Sequence, residues 1–202
     1  DDFVCIPMQG SGTFSIEAAL SSCVSPQEKV LVLSNGAYGQ RISKILRYMR
    51  RPSVVLDTGE YLPPCSKDVD SLLRKDPNIS HVIMVHCETS SGILNPISEI
   101  CKLVKKHEKI FMIDAMSSFG ALPLDAKSIP FDVCISSANK CIEGVPGFGF
   151  VMIKKKIIER AEGNSSSLSL DLYDQWKCFE QNGKWRFTPP THSISAFSAA
   201  LE

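Results

Sequence analysis

The chain has 202 residues, with 22 Lys and Arg against 22 Asp and Glu, so its formal net charge is zero. That balance argues against a nucleic-acid binder, which needs a basic footprint, and against an acidic tail protein. At 44% hydrophobic and 22% charged residues the composition is that of an ordinary globular protein.

Apolar runs such as VLVL at 30–33 and HVIMV at 81–85 fall far short of the roughly 20 residues that a membrane-spanning helix needs. The opening DDFVCIPMQG has neither the basic start nor the apolar run of a signal peptide. A soluble, cytoplasmic protein is expected, with no nucleic-acid or membrane partner. The eight cysteines, at 5, 23, 65, 87, 101, 134, 141 and 178, show no CxxC spacing, and the four histidines complete no ligand cluster with them. Buried free thiols in a reducing compartment are the better account of them than disulfides or zinc.

In chain order, the first expected element is a helix over 13–24, with apolar residues three and four apart. A strand follows at KVLVL (29–33), a helix over 38–49, a strand at PSVVL (52–56) and a helix over 67–74. Then come a strand at HVIMV (81–85), a helix over 97–107, and strands at KIFMID (109–114), FDVCIS (131–136) and FGFVMI (148–153). Compact Val- and Ile-rich runs alternating with amphipathic helices predict an α/β fold with a mostly parallel sheet. Beyond it the spacing predicts a charged helix over 154–162, a helical stretch over 167–180, a Gly- and Pro-containing loop, and a helix beginning at Ser193 with no capping signal at its end.

In open α/β sheets ligands bind outside the carboxyl ends of the strands, and three segments there carry chemistry. Gln9-Gly10-Ser11-Gly12-Thr13 precedes the first helix. A helix N-terminus presents unpaired N–H groups and partial positive charge, so this segment reads either as a phosphate cup or as a flexible turn with an N-cap. Asp114 ends a buried strand, where a carboxylate is costly unless it caps the next element, holds a metal or faces a cationic ring. Lys140 lies in ISSANKCIEGVPGFGF, between two strands. An ordinary lysine is a solvated charge, but one held in a tight loop at a strand end is expected to be partly desolvated, which favours the free amine. A phosphate site, an acid for a pyridine nitrogen and an amine are what pyridoxal phosphate requires.

The segments DAMSSFG (114–120), SSANKCIEGVPGFGF (136–150), SLSLDLYDQW (167–176) and KWRFTPPTH (184–192) resemble the fold-type I pyridoxal-phosphate aminotransferases of class V, and look most like the branch that works on an aminophosphonate with pyruvate. The resemblance runs through essentially the whole chain. It implies that Lys140 is the lysine bonded to the cofactor, that Asp114 partners the pyridine nitrogen, and that Ser11, Gly12 and Thr13 form the phosphate cup. Tyr38 matches the aromatic ring stacked on the cofactor, against an ordinary helix-start aromatic. Thr89 matches a hydroxyl near the ring oxygen, against a turn hydroxyl. Asn139 matches a polar cofactor contact, and Ser137 is a weaker phosphate candidate. Thr188 matches a residue reaching the phosphate of a neighbouring subunit, which implies a homodimer with shared sites. The resemblance further implies an amine and a 2-oxo acid as substrates.

By the same resemblance, residues 1–202 correspond to the cofactor-binding large domain, with 193–202 leading into a C-terminal domain and a further segment expected before the cup. The substrate-carboxylate arginine of the family has no counterpart assigned here, and Arg41 and Arg186 are the basic residues nearest the site segments. An alanine–glyoxylate or serine–pyruvate enzyme, a non-catalytic cofactor-binding remnant, and a lyase or desulfurase using Cys141 are the alternatives.

Overall fold

A computed structural model describes residues 2–202. Its strands are β1 (Phe3–Gly10), β2 (Lys29–Ser34), β3 (Ser53–Asp57), β4 (Ile79–Val85), β5 (Cys87–Glu88), β6 (Ile93–Leu94), β7 (Ile110–Asp114), β8 (Val133–Ser137) and β9 (Gly147–Lys154). Its helices are α1 (Gly12–Cys23), α2 (Ala37–Tyr48), α3 (Ser66–Lys75), α4 (Ile97–Lys106), α5 (Lys155–Ile158), α6 (Leu172–Asn182) and α7 (Thr191–Ala200).

Seven strands form one sheet in the order β1-β9-β8-β7-β4-β2-β3, and β5 and β6 form a separate hairpin. The strands β8, β7, β4, β2 and β3 are mutually parallel. β9 runs against both of its neighbours, β8 and β1. The sheet is therefore mixed, with β9 alone reversed, and the carboxyl ends of the other six strands share one edge.

Both faces of the sheet are covered, which is why its strands read as continuous apolar runs. In β2, Val30 and Val32 point into a core shared with α1, α2 and α6, whereas Leu31 and Leu33 point into a second core shared with α3 and α4. The outer end of β8 is anchored by the buried Asp132. It accepts the Phe111 backbone N–H at 2.8 Å and pairs with Lys105, and with Lys154 at 3.1 Å.

Four expectations need correcting. β1 was not expected, because Pro7 interrupts its pattern, and the structure accommodates it by pairing β1 with β9 alone, at the sheet's edge. The charged helix expected over 154–162 shrinks to the four residues of α5. The helix expected from 167 starts at Leu172, because Ser167 Oγ accepts the Leu170 N–H in a turn and Asp171 is the cap, accepting the Asp174 N–H at 3.1 Å. The cysteines are all free, yet only Cys23, Cys101 and Cys134 are buried, so burial does not account for the other five. No helix among the described residues is long and apolar enough to cross a membrane.

Candidate active site

The carboxyl edge gathers the turns after β1, β2, β4, β7 and β8. Ser11 is the N-cap residue of α1, but its hydroxyl makes no capping bond, and the first turn holds no acidic residue. The cup is thus left with unclaimed donors, as an anion site requires. Gly12 is needed for close approach: a Cβ there would lie 2.4 Å from Sδ of Met116. Through Met116, two residues beyond Asp114, the cup abuts the turn after β7.

Asp114 is 2% exposed. Its Oδ1 accepts the Met116 N–H at 3.0 Å, and its Oδ2 is buried with no partner. The turn-capping and ligand-facing readings of this residue therefore divide between its two oxygens. Burial pushes the carboxyl up to about 6, and Glu88 adds to the rise, while the Met116 bond, Arg41 and Lys140 oppose it. Ser137, at the end of β8, likewise has a buried hydroxyl without a partner.

Lys140 sits in the turn after β8, which closes on itself through Glu143 N–H to Lys140 carbonyl at 2.8 Å and Gly144 N–H to Ala138 carbonyl at 3.0 Å. Lys140 is exposed in the single chain, which corrects the expectation of partial desolvation: the apolar residues after it turn inward with β9 and leave the lysine at the open edge. Asn139 beside it is half-buried, and the Cys141 thiol donates to the Ser117 carbonyl at 3.3 Å.

Tyr38 stands in the first turn of α2. Its ring lies under Arg41, whose Cζ is 4.6 Å from the ring centroid and whose guanidinium reaches the Thr13 hydroxyl at 3.5 Å. Thr89 is exposed at the tip of the β5–β6 hairpin, with only a 3.5 Å bond to the Cys87 carbonyl. Thr188 is also exposed, and among the described residues none of its hydrogen bonds reaches Ser11–Thr13. Its neighbour Phe187 lines a small hollow with Met8 and Gln9, so the loop passes near its own cup. The sequence reading missed Glu88 and His86. The buried His86 ring hydrogen-bonds Ser118 at 2.9 Å, and its backbone N–H donates to the Asp114 carbonyl at 2.8 Å, tying β4 to β7.

A concavity of about 690 Å³ is an apolar groove lined by Trp176, Phe148 and Phe197 among others, and none of the predicted site residues lines it. A smaller depression of about 300 Å³ opens beside Thr13, Arg41 and Lys44. Pyridoxal phosphate fits the residues at the edge. The orphaned Asp114 Oδ2 is an acceptor lacking the N–H that a ring nitrogen would supply, and the free Ser11 hydroxyl and orphaned Ser137 hydroxyl are donors lacking an anion.

Known proteins resemble this chain over nearly its whole length. Over 198 residues the chain is 53% identical to the 2-aminoethylphosphonate–pyruvate transaminase of Pseudomonas putida strain GB-1, a match covering 98% of this chain and 54% of that protein. It is 53% identical over 197 residues to the enzyme of the same name from Rhizobium meliloti strain 1021, covering 98% and 51%. The chain thus spans about half the length of the curated relatives it matches. Among solved structures, pyridoxamine–pyruvate aminotransferase from Mesorhizobium loti superposes with a TM-score of 0.89 at 25% identity, covering 98% of this chain and 51% of that one. Residues 8–202 match the family model described as aminotransferase class-V, and the chain belongs to that family.

Proposed function

We propose that this chain forms the cofactor-binding part of a transaminase that moves the amino group of 2-aminoethylphosphonate to pyruvate, giving phosphonoacetaldehyde and L-alanine. Class-V aminotransferases depend on pyridoxal phosphate. When bound, that cofactor supplies a carbonyl carbon that can hold an amine and a ring that draws electrons from it. The observation that carries the reading is the lone buried Oδ2 of Asp114 beside an open phosphate cup.

Each residue then has a role. Ser11, Gly12 and Thr13, with Ser137, hold the phosphate. Tyr38 stacks on the ring, and Thr89 and Asn139 contact its polar substituents. Asp114 accepts the ring N–H and keeps that proton in place, an ion pair that offsets the cost of its burial. Lys140 would supply the amine that holds the cofactor's carbonyl carbon and, once the substrate amine had displaced it, would take the proton from the amine-bearing carbon of the substrate. The names of the relatives support the choice of aminophosphonate and pyruvate.

The exposed positions of Thr89, Lys140 and Thr188 support a homodimer in which a second copy covers this edge and Thr188 reaches across to the phosphate. Eight unpaired cysteines support a cytoplasmic, reducing setting. The test is alanine formation from 2-aminoethylphosphonate and pyruvate with added pyridoxal phosphate, compared with turnover of alanine and glyoxylate. Preference for the second pair would overturn the substrate assignment.

A further inference from the structure

The first turn of α2 is held by a device that the cofactor assignment does not use. Its N-cap residue is Gly36, which has no side chain to offer, and no acidic residue lies in its first turn. Yet three of its leading N–H groups have partners. Ser90 Oγ accepts the Ala37 N–H at 3.1 Å, and the two oxygens of Glu88 accept those of Tyr38 at 3.1 Å and Gly39 at 3.2 Å. Ser90 also donates its hydroxyl to Glu88 at 2.6 Å. All these acceptors come from the β5–β6 hairpin, about fifty residues away in sequence, and Glu88 is 0% exposed.

A buried carboxyl group is costly unless its oxygens find donors, and the helix end supplies both N–H groups and favourable dipole. The contact also dictates Gly36, since a Cβ there would fall 2.5 Å from both Glu88 Cγ and Ser90 Oγ. α1 provides the contrast, because its leading donors are left free at the cup while those of α2 are consumed.

We propose that Glu88 is a positioning residue: by binding the backbone N–H groups of Tyr38 and Gly39 it locks the first turn of α2, so that the Tyr38 ring stands ready for the cofactor. Backbone locking by Glu88 and the overlying Arg41 guanidinium, 4.6 Å from the ring centroid, together leave the ring little freedom before any ligand arrives. Preorganisation of this kind lowers the ordering cost of binding. This role rests on the cofactor site proposed above.

The test replaces Glu88 with Gln, which keeps the size and one acceptor but sets an amide N–H₂ against a helix N–H. In the cofactor-free chain the Tyr38 and Gly39 amides are expected to exchange hydrogen about tenfold faster or more, the scale of one lost charge-assisted bond. Pyridoxal phosphate retention, by equilibrium dialysis, is expected to weaken by about tenfold on the same ground. If Glu88 acts through the ring, the double variant with Tyr38→Ala retains the cofactor no worse than Tyr38→Ala alone.

Unchanged amide exchange, or losses that add in the double variant, would overturn the role of Glu88. A wild-type chain that retains no pyridoxal phosphate would instead overturn the site itself. Should Glu88→Gln fail to fold, Ser90→Ala removes the Ala37 acceptor and the donor to Glu88. It is expected to shift both readouts in the same direction by about threefold, and unchanged values there would refute the clamp.

Discussion

Replacing Asp114 with Asn tests the electrostatic reasoning at its most exposed point. The carboxyl is 2% exposed, makes one hydrogen bond to Met116 N–H, and is raised from 3.8 to about 6 chiefly by burial. A rise of that size corresponds to about 3 kcal/mol of differential free energy. The folded acid binds its proton more tightly than the unfolded one, so stability falls as pH rises between the unfolded value near 3.8 and the folded value of about 6. Asn keeps an oxygen for Met116 N–H and carries no charge. In the cofactor-free chain the wild type should therefore lose about 2.5 kcal/mol relative to Asp114→Asn between about pH 4 and about pH 7.5. Urea denaturation of both proteins across that range gives the difference directly, and using the difference cancels every other titrating group. Saturating pyridoxal phosphate should flatten the wild-type dependence, because a ring N–H would partner Oδ2. Parallel stability curves for the two cofactor-free proteins would refute the claim that an unpaired, buried charge sits at position 114.

Gly12→Ala places a Cβ 2.4 Å from Met116 Sδ, so the chain should lose about 1–3 kcal/mol by overpacking, read by chemical denaturation, and should retain the cofactor poorly. Thr188→Ala should weaken cofactor retention by about 1 kcal/mol, the scale of one hydrogen bond, and pyridoxal phosphate should shift the wild type from monomer toward dimer in sedimentation at several concentrations. A monomer that holds the cofactor firmly would defeat the shared-site proposal. Cys141→Ser should leave alanine formation within about twofold, since the thiol offers only a weak bond to the Ser117 carbonyl; abolished activity would revive a cysteine-dependent reaction.

The central strands were legible because they are buried on both faces and so are apolar in continuous runs, as in Val30–Leu33 or Val82–Val85. β1 was hidden by Pro7, whose missing N–H matters little at an edge. The hairpin strands, two residues each, are too short for any periodicity to register. Asp114 and the segment 9–13 stood out because a carboxylate ending a buried strand needs a partner and a helix start presents free N–H groups, although a turn cap and a flexible turn were equally open readings of them. Lys140 was legible in place but not in exposure, which depends on which way its loop leaves the sheet. Glu88 carried no local signal: its partners lie 49 and 50 residues away, and only the pairing of β4 between β2 and β7 brings that turn to the start of α2.

The site proposed on this carboxyl edge stands or falls with Lys140 as the amine that holds pyridoxal phosphate. Incubating the chain with pyridoxal phosphate, reducing with borohydride and mapping the labelled peptide by mass tests it most directly. A single stoichiometric label on Lys140, lost in Lys140→Ala, is the expected result. A label on another lysine, or scattered over several surface lysines with Lys140 unmodified, would contradict it.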